Sequence, residues 1–167
     1  MAKILFERDP DIPTVFDHQR EFMRACGQTV GRINVEQARL YERLVVEEVV
    51  EETLLGAIPR ALDAIRSGGD AVDEITAVAD GIADSIVVLI GLAESFGLDM
   101  EPIWLEVQRS NHDKIGPDGK VSRREDGKVL KPAGWRAPDL RPIVESQIAK
   151  RGLYGTTASP NHEQGDQ

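Results

Sequence analysis

The sequence predicts an all-α protein: a four-helix bundle, then a small β-hairpin or loop after the fourth helix, then a short C-terminal helix. Three observations carry that prediction. Apolar residues recur at helical spacings of three and four through residues 40–65 and again through 75–96. Capping residues and glycines punctuate those stretches. Turn chemistry becomes dense only after residue 116.

Taken in order, Asp9, Pro10, Asp11, Ile12 and Pro13 break any regular structure, and Thr14 can then cap a short helix to about Cys26 that packs Phe16, Phe22 and Met23. A loop from Gly27 to Ile33 leads to a long helix opening at Asn34, with Gln37 three residues on as in a capping box, and stopping at Ser67, Gly68 and Gly69. Pro59 removes a backbone donor inside it, so a kink or break is expected there. Asp70 can cap the third helix, Ala71 to Phe96, whose apolar stripe is Ile75, Ala79, Ile82, Ile86, Leu89, Ala93 and Phe96. Beside that stripe runs a row of mostly small residues, Ala77, Gly81, Asp84, Val88, Gly91 and Ser95, which allows close helix approach. Asp99 begins a fourth helix to about Asn111, with Met100, Ile103, Trp104 and Val107 on its apolar face. Turn residues at 116–119 and a hairpin at Asp126-Gly127 follow, and Asp139 to Lys150 forms the last helix, with Pro142 tolerated in its first turn.

A chain of 167 residues with 41% hydrophobic content suffices for one domain with a core. The expected division is an N-terminal extension (1–13), a single domain (14–150) and a disordered tail (151–167) poor in apolar residues. The net charge of −9, from 29 acidic and 20 basic residues, offers no footprint for nucleic acid or an anionic membrane. The longest apolar runs, such as Ile86 to Leu92, fall short of a membrane span. The single cysteine, Cys26, cannot form an internal disulfide; it reads as a small buried hydrophobe in a cytoplasmic protein.

The informative feature is what interrupts the long stripe. Leu40, Tyr41, Leu44, Leu54, Leu55, Ile58, Ala61, Leu62 and Ile65 share one face with three carboxylates, Glu47, Glu48 and Glu51, and with no Lys or Arg. Unpaired carboxylates on an inward face cost several kcal/mol each, so the stripe calls for a positive partner. Hard divalent cations, Mg²⁺ or Mn²⁺, choose such clustered oxygens. Asp84, the one charged member of the small-residue row, is the expected fourth ligand. Glu42, Glu52 and Glu94 lie off the stripe and read as solvated. A di-iron carboxylate site is disfavoured, because none of His18, His112 and His162 follows a helical glutamate by three residues; they read as surface or loop residues.

Glu47-Glu48-x-x-Glu51 on one helix and an acid on the next resemble the pattern of the all-α NTP pyrophosphatases, also called MazG-like. The similarity extends to Glu21-Phe22-Met23-Arg24-Ala25, to Ser110-Asn111-His112-Asp113-Lys114, to Asp118-Gly119-Lys120, and to the run from Glu125 to Pro132 followed by Gly134-Trp135-Arg136. It spans about residues 14 to 150. The branch it resembles most contains phosphoribosyl-ATP pyrophosphohydrolase-like proteins and the deinococcal MazG-like dUTP diphosphatase. One position departs: Gly81 stands where the family has a glutamate three residues before the Asp. Asp80 can reach the same cation from a slightly rotated position, or face solvent.

The resemblance implies hydrolysis of a nucleoside triphosphate between its α and β phosphates, with dUTP the first expected substrate, other dNTPs next, then phosphoribosyl-ATP. An acidic protein binding a nucleotide needs metal ions and a few placed cations. Glu48 and Glu51 are then direct metal ligands with Asp84, and Glu47 is the base, although spacing alone leaves the roles of Glu47 and Glu48 interchangeable. Lys114 and Lys131 are candidates for the pyrophosphate, and Asn111 for the sugar or phosphate. Trp135 and Tyr41 can stack a base or fill the core. Lys120, Arg123, Arg124 and Lys128 read as solvating the hairpin. The apolar surface is excessive for one layer, so a homodimer or homotetramer is expected. A non-catalytic helical module whose acids bind a basic partner is the alternative from another class.

Overall fold

Helices follow one another through the computed structural model, which describes residues 11–151: α1 (Val15–Ala25), α2 (Val35–Val45), a π-helical segment (Val46–Ala57), α3 (Ile58–Ser67), α4 (Val72–Ser95), α5 (Met100–His112) and α6 (Arg141–Arg151). The only β-type pairings among the described residues are isolated bridges, so the all-α expectation holds. The expected extension lies almost wholly, and the expected tail and His162 lie wholly, outside the fully described residues.

Capping follows the side chains. Thr14 and Asp17 form a complete capping box, Thr14 Oγ1 accepting from Asp17 N at 3.2 Å while the Asp17 carboxylate accepts from Thr14 N at 2.8 Å. Asn34 caps α2 through Gln37 N at 3.1 Å, but the reciprocal half expected of Gln37 is missing. The Asn34 N–H donates instead to the Ser95 carbonyl at 2.9 Å. Gln37 is thereby free to accept from Thr29 N and to donate to Thr29 O and Ser95 Oγ, which ties the 28–33 loop to the end of α4.

The helix expected over 34–67 changes register rather than simply kinking. Pro59 would clash with the carbonyl four residues back in an unbroken α-helix. The chain meets it with a widened π segment that closes on Ile58 N donating to Thr53 O, five residues back, so that Pro59 enters α3 within its first turn. Widening shifts the inward face. Positions four apart stay aligned, and Tyr41, Val45, Val49, Thr53, Ala57 and Ala61 line the packed side, Tyr41, Thr53 and Ala57 being buried. Leu54 and Leu55, expected inside on a 3.6-residue repeat, are turned outward, Leu55 to 71% exposure.

In α4 the two candidate faces exchange roles. The apolar stripe is outward: Ile75, Ile82, Ile86, Leu89 and Phe96 are all exposed. The small-residue row is the packed seam, because a helix can approach closely only where no side chain intervenes. A Cβ on Gly91 would lie 2.1 Å from Tyr41 Cε1, and one on Gly81 would lie 2.4 Å from Thr53 Oγ1. Met23, Tyr41 and Val88 form the core beside this seam, with Val30, Leu44, Val45, Val49 and Leu92 packed on them. Phe22 and Trp104 were expected in the core and are exposed, because Met23 and Ile103 occupy the inward positions of their helices. Cys26, expected buried, is exposed at the end of α1. With its apolar stripe outward, α4 is long and apolar enough to cross a membrane by length and composition, which the short apolar runs did not suggest. Asp80 and Asp84 within it would each cost about 3 kcal/mol in hydrocarbon.

Glu94 is the largest departure from expectation. It was read as solvated and is 1% exposed. Its Oε1 accepts from Arg20 Nε at 2.7 Å and its Oε2 from Gly31 N at 2.8 Å. Arg20 also pairs with Asp99 at 2.5 Å and with Asp17 at 3.3 Å. One guanidinium thus joins α1, the end of α4 and the start of α5, and its own pKa is raised: the acids it touches outweigh the opposing effect of burial.

After α5 the expected turns appear. Gly116 N bonds Lys120 O, and a rudimentary hairpin turns at Asp126-Gly127, with Arg123 bridged to Val129. Arg123 donates to Gly127 O and Arg124 pairs with Asp126, so both arginines brace the turn, in line with a structural role. The helix expected over 139–150 is α6, with Pro142 at its second residue.

Two stability changes follow. Gly91→Ala gains up to about 1 kcal/mol of helix propensity but overpacks Tyr41, whose hydroxyl is held by Gln28 at 2.7 Å, so a net loss of about 1–2 kcal/mol is expected in urea unfolding. Arg20→Ala leaves Glu94 buried without its cation and should cost about 3–5 kcal/mol by the same measurement. An unchanged midpoint in either variant would refute the corresponding contact.

Candidate functional site

The acidic residues are brought together by the glycine seam. At Gly81 the α4 backbone meets Thr53, whose hydroxyl donates at 2.7 Å to the Glu48 carbonyl. Gly81 therefore sits against the turn that carries Glu48, and Asp80 and Asp84, beside it and one turn on, face the same region. The electrostatics agree. Burial, then the charges of Asp84, Glu47, Glu52 and Asp80, push the Glu48 carboxyl above the ordinary glutamate range. Asp84 and Asp80 of α4 thus act on Glu48 across the seam. Glu52 is exposed, as expected, yet four residues after Glu48 it adds its charge to the group.

The expectation of a buried stripe is corrected. Glu48 is half-buried, while Glu47, Glu51, Asp80 and Asp84 are exposed. The π register is the cause, since it gives the inward positions to Val49 and Thr53 instead. Among the described residues no three His, Cys, Asp or Glu side chains form a ready-made cage for a metal ion. Glu94, Glu106, Asp99 and Asp113 all have arginine partners, whereas no ion pair among the described residues engages Glu47, Glu48, Glu51, Asp80 or Asp84. Such a donor set, carboxylate oxygens without competing cations, has the chemistry that Mg²⁺ or Mn²⁺ selects.

The second group of candidates lies at the C-terminal end of α5. Lys114 Nζ donates to Asn111 Oδ1 at 2.8 Å, so these two residues act as a pair. Lys131 Nζ sits 3.9 Å from the Trp135 ring centroid, and the Trp135 indole donates to Ser110 O at 2.8 Å. One face of Trp135 is thereby occupied, and the indole anchors the 132–136 segment to the helix end. Ser110 Oγ donates to Arg136 O at 2.8 Å and adds a second anchor. Tyr41 is buried against Gly91 and fills the core. Among the described residues no hydrogen bond or ion pair joins the Asn111–Trp135 group to the acids.

Sequence reasoning missed the clamp that holds this end. Arg109 donates to both oxygens of Glu106, at 2.8 and 2.7 Å, and to Asp113 at 2.5 Å, while Asp139 N donates to Glu106 Oε1 at 2.8 Å. Those bonds hold the Glu106 carboxyl down at about 2. The signal was present in the i, i+3 and i+4 spacing of the three residues, but the Asp139 bond is tertiary.

No protein-family model matches the chain, and no curated protein matches it. Among solved structures the chain is similar to a protein from Exiguobacterium sp. 255-15 described as a putative NTP pyrophosphohydrolase, with 22% identity, 83% of this chain and 96% of that one covered, and a TM-score of 0.44. Any assignment of function therefore rests on this chain's own residues.

The Glu48 shift has a sign that can be checked. A carboxyl raised in the folded state binds its proton more tightly there than when unfolded, so its favourable contribution is full below the unfolded pKa and is lost as pH rises through the folded one. Glu48→Gln should therefore raise Tm relative to the parent at pH 7, with the gap closing as pH falls below about 4. Glu106 behaves oppositely. Its contribution is full above the ordinary glutamate range and disappears as pH falls toward 2, so Glu106→Gln should destabilise at pH 7 and cost little near pH 2. Parallel melting curves across pH would contradict either assignment.

Proposed function

We propose that this protein is a metal-dependent nucleoside triphosphate pyrophosphohydrolase, cleaving between the α and β phosphates to release a monophosphate and pyrophosphate. The observation that supports the reading is that acids of two helices, Glu47 and Glu52 on one side and Asp80 and Asp84 on the other side of the Gly81–Thr53 approach, bring their charge to bear on Glu48 with no ion pair among the described residues. The resemblance of 14–150 to the MazG-like pattern supports it.

In this reading Glu48, Glu51 and Asp84 hold Mg²⁺, with Mn²⁺ able to replace it, and Asp80 stands beside them where Gly81 supplies no side chain. A bound divalent ion neutralises charge on phosphate oxygens and acidifies a water. Glu47, the adjacent carboxylate, takes the proton of the attacking water. The chain's acids must converge by side-chain rotation to do this, which their exposure permits without repacking the core. Lys114, presented with Asn111, and Lys131, held over Trp135, are assigned to the pyrophosphate end of the substrate. The preferred substrate is dUTP in the cytoplasm, with other dNTPs next.

A second copy of the chain belongs to this proposal. The outward stripe of α4 together with Leu54, Leu55, Leu62 and Ile65 leaves more apolar surface than a monomer of this size ordinarily exposes. A homodimer, or a tetramer built from two, would cover it and bring further residues toward the acids.

Pyrophosphate release from a panel of NTPs and dNTPs with Mg²⁺ or Mn²⁺ tests the reading directly. Turnover of at least one nucleotide is expected, falling by about 100-fold or more in Glu51→Gln if one ligand of the ion is lost. Turnover of none, or equal rates in parent and variant, would overturn it. A Tm that Mg²⁺ leaves unmoved, together with binding to a basic peptide, would favour a non-catalytic module instead.

A further inference from the structure

We propose that the cleft between α1, the 28–33 loop and the last turn of α6 is a binding site for a small phosphate-bearing anion, separate from the carboxylate cluster. The cleft encloses about 340 Å³ and is lined by Arg20, Arg24, Arg32, Lys150, Glu94, Val30 and Gly31. Four cations therefore face one cavity on a chain whose net charge is −9.

Accounting for each charge isolates the unused ones. Among the described residues the only carboxylate lining the cleft is Glu94, and both of its oxygens are taken, by Arg20 Nε and by Gly31 N. Arg20 is taken as well: Nε, Nη1 and Nη2 go to Glu94, Asp17 and Asp99. This buried pair makes a fixed wall. Arg24, one helical turn beyond Arg20 on α1, together with Arg32 and Lys150, has no acidic partner among the described residues, and all three are exposed at the cleft. Asp17 and Asp99 both pair with Arg20, and among the described residues no ion pair joins either to these three cations.

Like charges converging on one concavity repel, and a ligand that neutralises them removes that cost. Two guanidinium forks and an ammonium suit a phosphate, whose oxygens accept paired N–H donors. The concave shape and small volume favour a phosphate-bearing metabolite over a nucleic acid backbone, and the acidic remainder of the surface repels a polyanion.

The test uses the full chain in EDTA, so that phosphate cannot be held through a divalent ion on the acids, at low ionic strength. Calorimetric titration with inorganic pyrophosphate should give saturable binding of one anion per chain. Arg24→Ala and Lys150→Ala should each weaken it by about threefold to tenfold, and Arg24→Ala combined with Arg32→Ala should abolish it. Glu48→Gln and the Lys114→Ala, Lys131→Ala double variant should each bind as the parent does, which separates this site from both the acids and the lysines of the proposed active site. Inorganic phosphate and a nucleoside monophosphate serve as parallel titrants: tighter binding of the nucleotide would support the site with a nucleoside as the source of its phosphate, and equal or tighter binding of the inorganic ions would support it with free phosphate as that source. No saturable binding in EDTA, parent-like binding by the double arginine variant, loss of binding in Glu48→Gln or in the double lysine variant, or preference for duplex DNA over every small anion would overturn the proposal.

Discussion

The closeness of α4 to the helix before it is the constraint on which the rest of the molecule depends. At Gly91 the backbone lies against the ring of Tyr41, and at Gly81 it lies against the hydroxyl of Thr53. Neither approach tolerates a methyl group without movement. The first contact builds the core, because Tyr41 sits with Met23 and Val88. The second builds the candidate site, because Thr53 is bonded to the turn of Glu48. Core and site are consequently two ends of one seam. A shift of α4 that relieved crowding at Tyr41 would also move Asp80 and Asp84 relative to Glu48.

The π segment fits into the same constraint. Pro59 denies the chain a regular α-helix through that stretch, and widening the turns is how the backbone continues without a break. The consequence is an inward face of small or β-branched residues, Val49, Thr53 and Ala57, suited to meet the glycines of α4. A 3.6-residue repeat would have set Leu54 and Leu55 there, whose bulk is incompatible with so close an approach. The register change and the glycine row are thus complementary solutions to one packing problem.

This explains which parts of the architecture were legible from residues alone. Helix limits were, because Thr14, Asn34, Asp99 and Gly68 carry local capping chemistry that acts within a few residues. A small-residue row implies close approach, and Asp84, its one charged member, is the acid whose charge acts most strongly on Glu48. The facing of the apolar stripes was not legible. An amphipathic pattern identifies a buried face only if burial is completed within the same chain, and the stripe of Ile75, Ile82, Ile86 and Leu89 is left outward. Nor was the register beyond Val45, because periodicity arguments assume a constant repeat, and the clash with Pro59 changes it over a dozen residues.

The carboxylates carry the most general lesson. Burial was the criterion that set Glu47, Glu48 and Glu51 apart from Glu94, and it pointed the wrong way for Glu94. A carboxylate can be buried at tolerable cost when a guanidinium and a backbone N–H take both of its oxygens, so deep burial of an acid signals a completed structural network. Chemistry requires oxygens that remain available to a ligand. The discriminating property is therefore the presence or absence of a partner. By that criterion Glu94 and Asp99 are committed to Arg20, which joins three elements, and Glu106 to Arg109 on its own helix, whereas Glu47, Glu52, Asp80 and Asp84 bring their charges to bear on Glu48 with no ion pair among the described residues. The same test applied to cations separates Arg20 and Arg109, fully engaged, from Arg24, Arg32 and Lys150, which face a common cleft unpaired. Both clusters stand in a fold whose buried acid, Glu94, is paired with Arg20. In the readings proposed for them, each takes its counter-charge from outside the chain, a divalent cation at the acids and a phosphate-bearing anion at the cleft.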